Sequence, residues 1–229
     1  MNVIIKTDSE IARLRKGGPI LARILREVAK KVAPGVTTAE LDLYAYKLIK
    51  ESGHTPAFLD YQPEGATFPY PASLCTSVNS EVVHGIPGKK VLKEGDIISI
   101  DLGLNYEGVF LDHATTVAVG AVSAKNKILM GATEEALDAG IAAIVPGARL
   151  GDIGYAIQSI AEKNRLGIVY GFSGHGVGRA IHEDPYVMNT GKPGKGLELV
   201  PGMVIAIEPM FTLGGEEVVL ANDGFTYKT

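Results

Sequence analysis

Glu94-Gly95-Asp96-Ile97-Ile98-Ser99-Ile100-Asp101 and Val200-Pro201-Gly202-Met203-Val204-Ile205-Ala206-Ile207-Glu208 are two versions of one pattern. Each has a glycine corner, an apolar run and an acid at its end. Their offset is 202 − 95 = 107 residues. A second pair, PGVTTAELD at 34–42 and PGARLGDIG at 146–154, has an offset of 146 − 34 = 112. Two matches at nearly one offset predict an internal duplication, with helices and an acid-ended strand in each half. Related halves of this kind are expected to share one core with a site between them. Chance likeness of Pro-Gly corners is the alternative.

The rest of the chain supplies the helices that such halves need. Thr7-Asp8-Ser9-Glu10 reads as a capping box. Apolar residues follow at Ile11, Leu14, Leu21, Leu25, Val28 and Val32, with Gly18 filling the gap, so one helical face is buried until Pro34-Gly35. Thr37 and Glu40 form a second capping box for a helix to about residue 52. Residues 54–93 are proline-rich and weakly periodic, and read as loops with short strands. Strands are expected at 96–102, 109–119 and 204–211, and helices at 124–144 and 150–163.

Composition narrows the class. The 229 residues are 46% hydrophobic and 21% charged, a globular profile, with a net charge of -4 that gives no sign of a nucleic-acid surface. No apolar run approaches the ~18 residues of a membrane span, and the N-terminus does not read as a signal peptide. Cys75 is the single cysteine, so the expectation is a protein of the reducing cytoplasm without an internal disulfide.

The acids are where chemistry is expected. Asp101 sits between Ile100 and Leu102, Asp112 follows Val109-Phe110-Leu111, and Glu208 follows Val204-Ile205-Ala206-Ile207. Burying a carboxylate is costly unless it is paired or bound to metal. One such acid would be read as an ion pair. Three, together with His175 and His182 in Phe172–Val187 (FSGHGVGRAIHEDPYV), favour a divalent ion such as Mn, Fe, Co or Zn. The glycines at 174, 176 and 178 do not make a dinucleotide fingerprint, because the third comes one residue early.

These motifs resemble those of the type I methionine aminopeptidases, metallopeptidases of the M24 family. The resemblance rests on six segments in the family's order: Cys75-Thr76-Ser77-Val78-Asn79 leading to Val83-His84-Gly85-Ile86-Pro87, Gly95 to Asp101, Gly108-x-x-x-Asp112, Gly174-His175-Gly176-Val177-Gly178, Ile181-His182-Glu183-Asp184-Pro185 and Ile207-Glu208-Pro209-Met210. It implies the α+β pita-bread fold, two pseudo-symmetric halves with a curved antiparallel sheet covered by helices. Residues 1–229 would be one catalytic domain with an internal pseudo-two-fold repeat. The implied reaction is removal of N-terminal methionine from nascent chains when the next residue is small.

Carried across, Asp101, Asp112, His175 and Glu208 resemble the ligands of two divalent ions (Co, Mn, Fe or Zn), with Asp112 shared. His84 and His182 resemble substrate-contacting histidines, and Glu208 a proton relay. Tyr70 and Cys75 match positions lining the methionine pocket. His54 and His113 match no functional position. The implied partners are peptides that begin with methionine. Neither nucleic acid nor membrane is expected, and the expected state is a monomer.

The chain also departs from the family pattern. The resemblance implies a fifth ligand, a glutamate on a final strand downstream of Gly224–Thr229, and Glu216 and Glu217 are not promoted to that role. A chain ending at Thr229 is expected to hold at most one ion well. The 59–69 stretch looks longer and richer in proline, and Ile181 stands where an aromatic is common. Two other readings stay open: a proline-directed aminopeptidase of the same fold, and a non-catalytic binding module with an incomplete metal centre.

Overall fold

The computed structural model describes residues 2–229. In chain order the elements are α1 (Asp8–Ala29), α2 (Thr38–Glu51), β1 (Thr55–Pro56), β2 (Leu74–Val78), β3 (Glu81–Val83), β4 (Ile97–Tyr106), β5 (Val109–Ala118), α3 (Ala124–Ala142), α4 (Leu150–Asn164), β6 (Gly167–Ile168), β7 (Ser173–Gly176), β8 (Glu183–Met188), β9 (Phe211–Thr212), β10 (Val219–Leu220) and β11 (Tyr227–Lys228). They fall into two compact units. One comprises Glu10–Ser123 and Val218–Thr229, the other Ala124–Glu217 with the N-terminal residues up to Ser9.

In the first unit, α1 buries Leu21, Ile24, Leu25 and Val28 against Leu41, Ala45 and Ile49 of α2. The expected apolar stripe is therefore core, and each fully buried aliphatic contributes about 1.5–3 kcal/mol. The helix stops at Ala29, short of Val32, where the bonding tightens to Lys31 N–H→Val28 O and Val32 N–H→Ala29 O. The capping box of α2 forms as read. Glu40 N–H donates to Thr37 Oγ1, and Thr37 N–H donates to Glu40 Oε2 at 2.7 Å.

The helices pack with β4, whose alternation sorts its side chains. Ile98, Ile100, Leu102 and Leu104 are wholly buried, while Ser99, Asp101 and Asn105 are only partly so. Strand β5 pairs antiparallel along all of β4, and β1 and β2 share the other edge. Strands β10, β11 and β3 form a separate small sheet.

In the second unit, α3 and α4 bury Ala136, Ile153, Ile157 and Ala161 with Val187 of β8 and Phe211 of β9. Strands β7 and β8 pair antiparallel, with a register shift between His175 and Gly176. The expected strand at 204–211 forms only in part. Residues Phe211–Thr212 pair with β6, and the stretch before them meets β7 through one bridge, Gly176 to Ile205. The bonds Ala206 N–H→His175 O (2.7 Å) and Val177 N–H→Val204 O (3.1 Å) still hold the segment alongside. Gly174 makes that approach possible, because a β-carbon there would lie 2.2 Å from the carbonyl oxygen of Ala206.

Candidate metal centre

Asp101 and Asp112 come to one face of a sheet by register. Asp101 is opposite Ala114 and Asp112 is opposite Gly103. Residues directly opposite point the same way, and residues two apart along a strand do too. The two carboxylates are therefore diagonal neighbours on the less buried face of the β4–β5 pair. Cys75 of β2 lies opposite Asp101 on the other edge.

His175 is buried on β7, and its two ring nitrogens have different surroundings. Nδ1 is 2.8 Å from the carbonyl oxygen of Gly176. A carbonyl can only accept, so Nδ1 carries the proton and Nε2 presents its lone pair. Nε2 is 3.1 Å from Glu208 Oε1. Glu208 is held from behind, where the buried Asn189 donates through Nδ2 to its backbone carbonyl at 2.8 Å. The ring of His182 meets that of His175 edge-on, with centroids 4.5 Å apart.

Within the second unit, His175 and Glu208 each offer a ligand atom, 3.1 Å apart. Within the first, Asp101 and Asp112 offer carboxylates from neighbouring positions on one face. Carboxylates and an imidazole suit a hard or borderline divalent ion, so these donors are of the kind the expected metal takes. Glu216 and Glu217 are exposed after the Gly214-Gly215 turn.

His84 has a backbone φ of 58°, a left-handed conformation uncommon outside glycine. The next residue pins it. Gly85 N–H donates to Ser77 Oγ at 3.2 Å, and the Gly85 carbonyl accepts from Thr76 N–H at 2.7 Å and from Tyr70 Oη at 3.0 Å. The ring of His84 stands edge-on to Tyr227, 6.2 Å between centroids. Tyr70 is thus buried with its hydroxyl turned to backbone, while its ring meets Phe225 at 5.2 Å.

Burial pushes the Tyr70 hydroxyl well above the ordinary phenol range, with Cys75 and Asp101 adding to it. Burial does the same to the Cys75 thiol, reinforced by the charge of Asp101. His113 is pushed down by desolvation against the opposing pull of Asp112. His54 stacks at 4.6 Å on Tyr106, which is a packing role. Sequence reasoning missed Ser77 and Asn189. Ser77 lies inside the Cys75–Asn79 segment without a role of its own there, Asn189 lies in no motif, and only the backbone atom each meets gives it a part in the site.

The sequence matches Metallopeptidase family M24 over residues 12–225. A methionine aminopeptidase of Aquifex aeolicus is 45% identical over 232 residues, covering 100% of this chain and 90% of that one. The crystal structure of methionine aminopeptidase from Rickettsia prowazekii superimposes with a TM-score of 0.94 at 39% identity, over 100% of this chain and 90% of that one. A prolidase from Pyrococcus horikoshii is less similar, with a TM-score of 0.72 and 26% identity over 90% of this chain and 55% of that one.

Proposed function

The chain belongs to metallopeptidase family M24, and from that premise we propose that it is a methionine aminopeptidase, hydrolysing the peptide bond after an N-terminal methionine when the next residue is small. The observation that carries the reading is the buried His175 imidazole facing the Glu208 carboxylate at 3.1 Å. Full-length similarity to methionine aminopeptidases favours this substrate over a proline-containing one. The fold is the pita-bread fold of those enzymes.

Asp112, His175 and Glu208 would hold one divalent ion, and Asp101 with the shared Asp112 would contribute to a second. Bound there, such ions supply Lewis acidity, which acidifies water and polarises a carbonyl. Glu208 takes the proton from the attacking water and passes it to the leaving amine, so that one water is consumed for each bond cut. His182, whose imidazole is exposed beside His175, and His84 donate hydrogen bonds to the substrate and to the oxygen that gains charge. Cys75 and the ring of Tyr70 supply an apolar wall for the flexible thioether.

Residues 1–229 act as one catalytic domain with an internal pseudo-two-fold repeat. The protein works as a cytoplasmic monomer on the N-termini of new chains, with Co, Mn, Fe or Zn as its metal. Among the described residues, no helix is long and apolar enough to cross a membrane.

The test is release of methionine from Met-Ala-Ser by the metal-loaded protein, beside Ala-Pro peptides. Cleavage of the first and not the second is expected. The reverse preference would indicate a proline-directed enzyme. Metal binding with neither activity would indicate a binding module.

A further inference from the structure

The reaction leaves one buried charge unexplained. Lys6 Nζ lies 2.5 Å from Glu183 Oε2, and the two side chains are only 1% and 3% exposed. The ammonium also donates to the carbonyl of Ile4 at 3.2 Å. The other oxygen of Glu183 accepts from the backbone of Arg179 at 2.5 Å and of Ala180 at 2.8 Å. One carboxylate therefore ties the chain on both sides of Ile181 and His182 to a cation from the N-terminal segment.

The packing is built around this lysine. A β-carbon at Gly178 would fall 2.4 Å from Lys6 Cε. Lys6 N–H donates to Gly202 O at 2.8 Å, and Asn2 N–H donates to Asp184 Oδ2 at 2.5 Å. Residues 2–6 thus strap the loop from Gly178 to Asp184. His182 itself is exposed, while Ile181 before it is 2% exposed. The chain on both sides of the exposed His182 is anchored.

We propose that Lys6 is a positioning residue: through its buried ion pair with Glu183 it fixes the loop that aims His182. The kinetic part rests on the reading of His182 as a substrate-contacting group.

The experiment compares Lys6→Met, Glu183→Gln and the double variant with the wild type, all metal-loaded. For Lys6→Met, kcat on Met-Ala-Ser is expected to fall about tenfold to a hundredfold, the cost of a misaimed group, with KM and bound metal unchanged. The double variant should be no worse than the worse single variant, since both act along one path. The His182 imidazole resonances should shift in Lys6→Met while those of His54 stay in place. Unchanged kcat, additive losses or unmoved His182 resonances would overturn the proposal. A role in stability alone would lower the melting temperature and leave kcat per folded molecule intact, which also overturns it. If Lys6→Met does not fold, the double variant, which leaves no orphaned buried charge, decides by its kcat and its His182 resonances. A wild type inactive on Met-Ala-Ser would refute the functional reading, and the resonance shift would still decide the role of Lys6.

Discussion

Nε2 of His175 lies 3.1 Å from Oε1 of Glu208, while the ring's other nitrogen faces the Gly176 carbonyl at 2.8 Å. The carbonyl holds the tautomer, and the Nε2 lone pair points where a carboxylate also points. His182 meets this imidazole edge-on by its ring and is not among the proposed ligands. His175→Ala is therefore expected to lose metal. His182→Ala should keep its metal and lose turnover by about a hundredfold, the scale of one lost donor to a charged intermediate. Metal analysis of both dialysed variants beside their kcat checks the assignment, and equal metal loss would show the roles wrongly divided.

Asp101 and Asp112 are diagonal neighbours on one face of the β4–β5 pair, and both are proposed ligands. Removing metal with a chelator should abolish peptide cleavage, and adding Mn or Co should restore it. In calorimetric titration, Asp112→Asn should weaken all binding. Asp101→Asn should leave the tighter binding event intact and remove only a weaker one. A tight event lost in Asp101→Asn alone would place that carboxylate, not Asp112, at the stronger site.

Gly174→Ala should damage the centre without touching a ligand. The added methyl would sit 2.2 Å from the Ala206 carbonyl, two residues from Glu208, and backbone cannot rotate away as a side chain can. Overpacking of this kind costs about 1–3 kcal/mol. Thermal unfolding should show the loss, and metal affinity should fall with it because β7 and the 204–208 segment move apart. An unchanged melting temperature would mean that the two segments are not in register as described.

Cys75 should be silent toward iodoacetamide at pH 8 in the folded protein and reactive once it is unfolded. Burial first, then the charge of Asp101, pushes its thiol above the ordinary value of 9.0. The folded state keeps the proton where the unfolded chain releases it. Stability from this group is therefore intact below pH 9.0 and is lost as pH rises toward the folded value. Denaturant midpoints measured from pH 8 to pH 10 should fall, and fall less in Cys75→Ala. Fast labelling of the native protein would place the thiol at the surface.

Much of the local structure follows from short-range chemistry that a sequence displays. The capping box of Thr37 and Glu40 starts α2 as expected, because both partners lie within one helical turn. The alternation in β4 sets Asp101 on the face away from Ile100 and Leu102, because a strand repeats every two residues. The same logic made Asp101, Asp112 and Glu208 suspect, since acids in apolar runs need a partner. What periodicity reports is a face, and it says nothing of what lies across from it. The tertiary structure alone set the Glu208 carboxylate beside His175. It also left most of 204–211 outside a regular strand, joined to β7 by the single bridge between Gly176 and Ile205. Tyr70, expected to line the pocket, also spends its hydroxyl on the Gly85 carbonyl. Lys6 looked like any lysine near a terminus, and its pairing with Glu183 spans 177 residues of chain. Such contacts come from chain closure and packing, where distance along the sequence carries no weight.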